Sequence, residues 1–171
     1  MMMTTQNVQP KSGLDAKLVN NLADAVMQVL GTMVGAPTQL KEVLPSLDYT
    51  PTGDVTSLIG ISGEHGEGML ALSFTADLAR LFVARLLGLG PEDVADNDLV
   101  DGVGELINMI SGRAKIGLSE SSDSLYRLSL PQIIVGTNHQ ITNPIKNTPF
   151  LFLVFESEGA EFGLQVSFRN F

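Results

Sequence analysis

Leu18, Leu22, Val26, Val29, Leu30 and Met33 recur at intervals of three and four residues, which gathers them into one apolar stripe on a helix. The spacing predicts a helix over 14–35, stopped by Gly35 and Pro37. Residues 38–74 turn to strand character, with 55–62 and 68–74 flanking a polar, glycine-containing turn at 63–67. Helical spacing returns over 76–87, where Thr75 is placed to cap and Gly88 to stop the helix. After Gly90-Pro91 a long helix is expected over roughly 96–116, with Asn97 or Asp98 available as its cap. Past the polar run 119–124 the pattern predicts strands at 126–130, 132–135, 150–156 and 161–168, the last two joined by a turn at Glu158-Gly159. The order implies an α/β sandwich: a largely antiparallel sheet of six or seven strands with two long helices and a shorter one. Residues 1–12 read as a flexible polar tail and 13–171 as a single domain.

The two long helices are related in sequence. Leu22-Ala-Asp24-Ala-Val26-Met-Gln28-Val-Leu30-Gly31-Thr-Met33-Val-Gly35 can be laid without gaps on Leu99-Val-Asp101-Gly-Val103-Gly-Glu105-Leu-Ile107-Asn108-Met-Ile110-Ser-Gly112. Leu, Asp, Val and Gly recur identically, and each helix precedes a group of strands. Two related halves about a pseudo-twofold axis are therefore expected. The copies differ where Gln28 replaces Glu105 and Gly31 replaces Asn108.

Charge and composition narrow the function. The net charge of −9 and pI near 4.5 argue against binding nucleic acid, which needs clustered Lys and Arg, and against an anionic membrane surface. There is no Cys, hence neither a disulfide framework nor a thiolate metal site. The first residues lack the basic and apolar regions of a signal peptide. Without a long uninterrupted apolar run no membrane insertion is expected, and a cytoplasmic location follows as the default.

Candidate chemistry concentrates in the second copy. On a helix Asp101, Glu105, Asn108 and Gly112 fall within about 60° of one another, opposite Leu99, Val103, Leu106 and Ile110. An acid and an amide on the wet side of a helix are either solvated surface or a contact for another protein's active site. Gly102, Gly104 and Gly112 each weaken the helix by about 0.5–1 kcal/mol relative to Ala. Either they let another surface approach the backbone, or they allow close packing against the sister helix.

The run Asp101-x-x-x-Glu105-x-x-Asn108, followed by a 22-residue spacer and Pro131, resembles the signature of the CheC/CheX/FliY family of chemotaxis phosphatases. The segments Met109-Ile-Ser-Gly112-Arg-Ala-Lys115 and Ser129-Leu-Pro131-Gln-Ile-Ile-Val-Gly136 are also similar to that family, and the order of elements fits over roughly residues 14–170. The resemblance implies a CheX/CheC-like α/β sandwich that hydrolyses the phosphoaspartate of a CheY-like response regulator. In that family the amide orients the attacking water and the acid pairs with a regulator Lys, roles that would fall on Asn108 and Glu105. Asp101, Gly112 and Pro131 would support the site or contact the partner. Mg²⁺ is expected in the regulator, with no cofactor in this chain. Because Gln28 and Gly31 depart from the pair, one site per chain is expected, as in CheX rather than the two-site CheC type. The likeness also implies a homodimer, formed by pairing sheet edges. The alternative is a non-catalytic relative that binds a regulator, or a deamidase of the CheD type.

Other candidates are weaker. His65 and His139 are too separated, without Cys, for a metal site. Gly63-x-x-Gly66-x-Gly68 lacks the Lys-Ser/Thr of a phosphate loop, and Gly102-x-Gly104 lacks the third glycine of a dinucleotide fingerprint. The run 119–124 is a solvated loop or the rim of a partner interface. The apolar run 150–155 is a buried strand or a dimer edge.

Overall fold

A computed structural model describes residues 16–45, 53–64, 66–119, 126–142 and 150–170; the expected tail and the run 120–124 lie outside them. The first helix, α1 (Ala16–Val29), passes into a π turn over Leu30–Val34. Gly35, at φ 65°, ends it with its N–H donating to the Leu30 carbonyl. The wider turn rotates the apolar stripe, so Leu30 is buried while Met33, expected inside, is 51% exposed.

Three strands follow: β1 (Thr38–Pro45), β2 (Gly53–Gly63) and β3 (Gly66–Phe74). Gly63 pairs directly with Gly66, so the β2–β3 turn is tighter than the pattern suggested. Helix α2 (Ala76–Leu87) has the expected boundaries. Thr75 accepts from the Leu78 N–H at 3.3 Å, and Gly88 sits at φ 69°.

Helix α3 (Asp96–Ser119) starts where expected and runs three residues further. Neither Asn97 nor Asp98 is its cap. The Ala95 carbonyl accepts from the Leu99 N–H, and the Asp98 carboxylate reaches back to the Ala95 N–H at 3.3 Å. Asp98 thus supplies the returning half of a capping box. The remaining strands are β4 (Arg127–Leu128), β5 (Gln132–His139), β6 (Leu151–Ser157) and β7 (Ala160–Asn170).

The seven strands form one antiparallel sheet in the order β1-β6-β7-β3-β2, with β4 and β5 both paired to β2. Exchanging β1, β2 and β3 with β5, β6 and β7 turns this order into its own reverse. The sheet therefore carries the twofold relation expected from the helix repeat, with β3 and β7 meeting at its centre. Each edge strand begins immediately after a proline, Pro37 before β1 and Pro131 before β5. The apolar run 150–155 lies between β1 and β7, which settles it as interior strand and not edge.

All three helices cover one face of the sheet, where Val55, Ile59, Leu70, Leu153 and Leu164 join the helix stripes in one core. Phe82 of α2 meets Phe74 edge-on at 5.5 Å, and Phe155 stacks on Phe162 at 5.3 Å, ring geometries that add to simple burial. The other face is crossed by the chain that follows β5. There Gln165 of β7 donates to the Ile141 carbonyl at 3.0 Å; within β5 itself the Asn138 N–H donates to Asp54 at 3.3 Å and His139 Nε2 shares a 2.5 Å hydrogen bond with Thr56. Strand β6 is buried on both sides, which is why it reads as an unbroken apolar run.

Candidate functional site

Helix α3 sets the geometry of the acid–amide stripe. Leu99, Val103, Leu106 and Ile110 are buried as expected, while Asp101 and Glu105 are exposed and Asn108 and Gly112 partly so. Among the described residues no hydrogen bond or ion pair engages the side chains of Asp101, Glu105 or Asn108. Asp101 and Glu105 are fixed to the surface through the backbone and remain available to a partner.

The three glycines separate by role. A Cβ on Gly102 would lie 2.6 Å from both γ-carbons of Val83, so this glycine lets α2 press against α3. A Cβ on Gly104 would meet Ile133 Cδ1 at 3.5 Å and Pro131 Cγ at 3.6 Å, an ordinary packing distance. Neither contact is with the sister helix, as one expectation had it; that role belongs to Gly117, whose Cβ would crowd Asn21 of α1. Nothing lies within 4 Å of a Cβ on Gly112, so the stripe is bare there.

Pro131 is thus brought against the residue preceding Glu105, although it is remote in sequence. It also breaks the expected strand 126–130. Only Arg127 and Leu128 pair with β2; Ser129 is held by its N–H to the Gly60 carbonyl at 2.9 Å and by its hydroxyl accepting from the Gly60 N–H at 2.8 Å. Leu130 is released from the ladder and stands 86% exposed beside the stripe, and Val135 on β5 is 60% exposed. The sequence pattern hid both among strand residues. The signal that could have found Leu130 was Pro131 itself, which cannot donate to a ladder.

The remaining candidates resolve differently. His139 is the last residue of β5, not a loop residue. Its Nδ1 lies 2.8 Å from the Gly136 carbonyl and its Nε2 faces Thr56, which shares a 2.7 Å hydrogen bond with Ser73. That accounts for it structurally. His65 lies outside the described residues. Among the described residues no cluster of three His, Cys, Asp or Glu could hold a metal ion, and no helix is long and apolar enough to cross a membrane.

A long helix with an acid–amide stripe on its outer side, laid on a pseudo-symmetric antiparallel sheet, defines a class of α/β fold. The comparisons specify it: residues 55–156 match the family model described as chemotaxis phosphatase CheX, and the chain belongs to that family. A CheC-like superfamily protein from Shewanella sp. PV-4 superposes with a TM-score of 0.82 at 27% identity, over 91% of this chain and 99% of the other. The chemotaxis protein CheX from Desulfovibrio desulfuricans gives 0.80 at 28% identity, over 90% and 99%. A more distant fold relative at 21% identity and 0.68, covering 89% and 97%, is the CheX from Borrelia burgdorferi solved with CheY, BeF₃ and Mg²⁺. No curated protein matches the chain.

Proposed function

We propose that this chain is a phosphatase of a phosphorylated CheY-like response regulator, acting through Asn108 and Glu105. The observation that carries the reading is the stripe itself: an exposed carboxylate and a partly exposed amide one helical turn apart, without a side-chain partner among the described residues, on a family member's long helix. An acyl phosphate is already activated, so its hydrolysis needs a positioned water and charge stabilisation more than a nucleophile or strong base. The Asn108 amide accepts from and donates to the attacking water. Water adds to phosphorus, the bond to the aspartyl oxygen breaks, and free carboxylate and inorganic phosphate leave. Glu105 anchors the complex by pairing with a regulator Lys. The Mg²⁺ is assigned to the regulator, a reading supported by the Borrelia CheX having been solved with CheY, BeF₃ and Mg²⁺ together. Gly112 leaves room on the stripe, and Pro131 with Leu130 forms its flank.

One site per chain is proposed, because Gln28 and Gly31 occupy the corresponding stripe on α1. The protein is further proposed to work in the cytoplasm as a homodimer joined at sheet edges, where β5 exposes Ile134 and Val135; light scattering that gave a monomer at working concentration would remove the dimer.

The test is dephosphorylation of a panel of regulators by the wild type and two variants. Asn108→Ala is expected to lower kcat by about a hundredfold or more, the cost of losing one positioning donor. Glu105→Ala is expected to raise KM tenfold or more, the loss of a charge-assisted pair. Hydrolysis untouched by Asn108→Ala would overturn the mechanism, and binding without acceleration by the wild type would leave a non-catalytic regulator-binding protein.

A further inference from the structure

On the sheet face away from the helices lies a hollow of about 820 Å³ that the proposed reaction does not use. Gly60 forms part of its floor. Gly60 sits in the middle of β2, directly opposite Met69, and its missing side chain leaves the space between Ser129 and Met69 unfilled.

One wall is polar and crosses four strands in register. Arg127 of β4 pairs with Ser62 of β2, Ser62 with Glu67 of β3, and Glu67 with Arg169 of β7. Arg169 forms an ion pair with Glu67, so these two cancel. Among the described residues Arg127 makes no ion pair, so of the charges on this wall its guanidinium is the one not matched there by a carboxylate. Leu58 and Met69 give the hollow an apolar side, and Gln132 closes it with an amide.

From this we propose that the hollow over Gly60 is a binding site for a small monocarboxylate with an apolar body. The volume lies within the roughly 300–1,000 Å³ of small-molecule sites, which combine apolar lining with a few placed polar groups. A guanidinium takes a carboxylate through two parallel N–H donors. The guanidinium supplies the anion contact, and Leu58 and Met69 select an alkyl or aryl body over a bare acid or inorganic phosphate.

Amide chemical shifts of the full-length protein, titrated with hexanoate and separately with neutral hexanamide, test the site. Saturable shifts centred on Gly60, Ser62 and Ser129 are expected with hexanoate, with affinity at least tenfold above that for hexanamide, the worth of a charge-assisted pair. Arg127→Gln, at an exposed position, should lose that selectivity. Gly60→Val, which projects into the hollow from a strand that tolerates β-branching, should abolish the shifts, and Arg127→Gln should leave regulator dephosphorylation unchanged. The proposal is overturned by equal affinity for the two compounds, by shifts that survive both variants, or by no saturable shift at all. It is equally overturned if the same amides shift on concentrating the protein alone, which would assign the hollow to a second copy of the chain.

Discussion

Replacing Gly102 by Ala probes how α3 is held. The new methyl would stand 2.6 Å from both γ-carbons of Val83 and 3.1 Å from its Cβ, where carbon atoms settle at about 3.5–4.0 Å. Val83 is fully buried and has little room to turn, so α2 and α3 must part by about 1 Å. Overpacking of this kind costs about 1–3 kcal/mol, and the better helix propensity of Ala returns up to about 1 kcal/mol. A net loss of about 1 kcal/mol should lower Tm by about 2–4 °C, read by thermal unfolding followed by far-UV circular dichroism. Gly104→Ala is the internal control: its methyl meets Ile133 and Pro131 at ordinary distance, so only the propensity gain remains and Tm should rise. In a Val83→Ala background the penalty at Gly102 should disappear, since the two residues share one contact. If Gly102→Ala proved as stable as Gly104→Ala, or if its cost persisted beside Val83→Ala, the close approach of the two helices would not be the reason for the glycine.

Gly112→Ala should stabilise the isolated chain by about 0.5–1 kcal/mol yet slow regulator dephosphorylation, because the methyl stands on the stripe; unchanged kinetics would show that the partner does not approach there. Thr75→Ala should cost about 1 kcal/mol through loss of the α2 cap, measured by urea unfolding. The Arg85 guanidinium, paired with Glu158 at 2.7 Å, holds the Glu158 carboxyl below its ordinary range by hydrogen bonding and then by charge. A lowered folded-state pKa adds stability that is complete above the ordinary glutamate value of about 4.3 and is lost as pH falls through the folded value. Glu158→Gln should therefore narrow its Tm difference from wild type as pH drops below about 4, and a difference constant from pH 7 to 3 would remove the pair as its cause.

What could be read in the sequence was local or periodic. Thr75 and Gly88 act within one helical turn of themselves, so both ends of α2 were visible. The stripe was visible because helical spacing alone places Asp101, Glu105 and Asn108 on one face, and the repeat set Glu105 and Asn108 apart. Met33 was misplaced because apolar spacing assumes a constant pitch, and the π turn changes it. Strand β5 was expected to end at Val135, where the apolar run stops, whereas the ladder resumes with His139 opposite Gly53 after a bulge. The partners of Gly102 and Gly104 were out of reach, since Val83, Pro131 and Ile133 meet them only in three dimensions.

The interleaving of the sheet sets the order in which this chain completes its structure. Strand β1 pairs only with β6, more than a hundred residues later, while β5 returns to β2. Neither repeat unit can satisfy its own outer strand, so the two are not separable folding units despite their kinship. During synthesis β1 stays unpaired until β6 leaves the ribosome, and that wait makes the fold dependent on slow, distant closures. The same dependence means that the two halves, made as separate fragments, should assemble only when mixed.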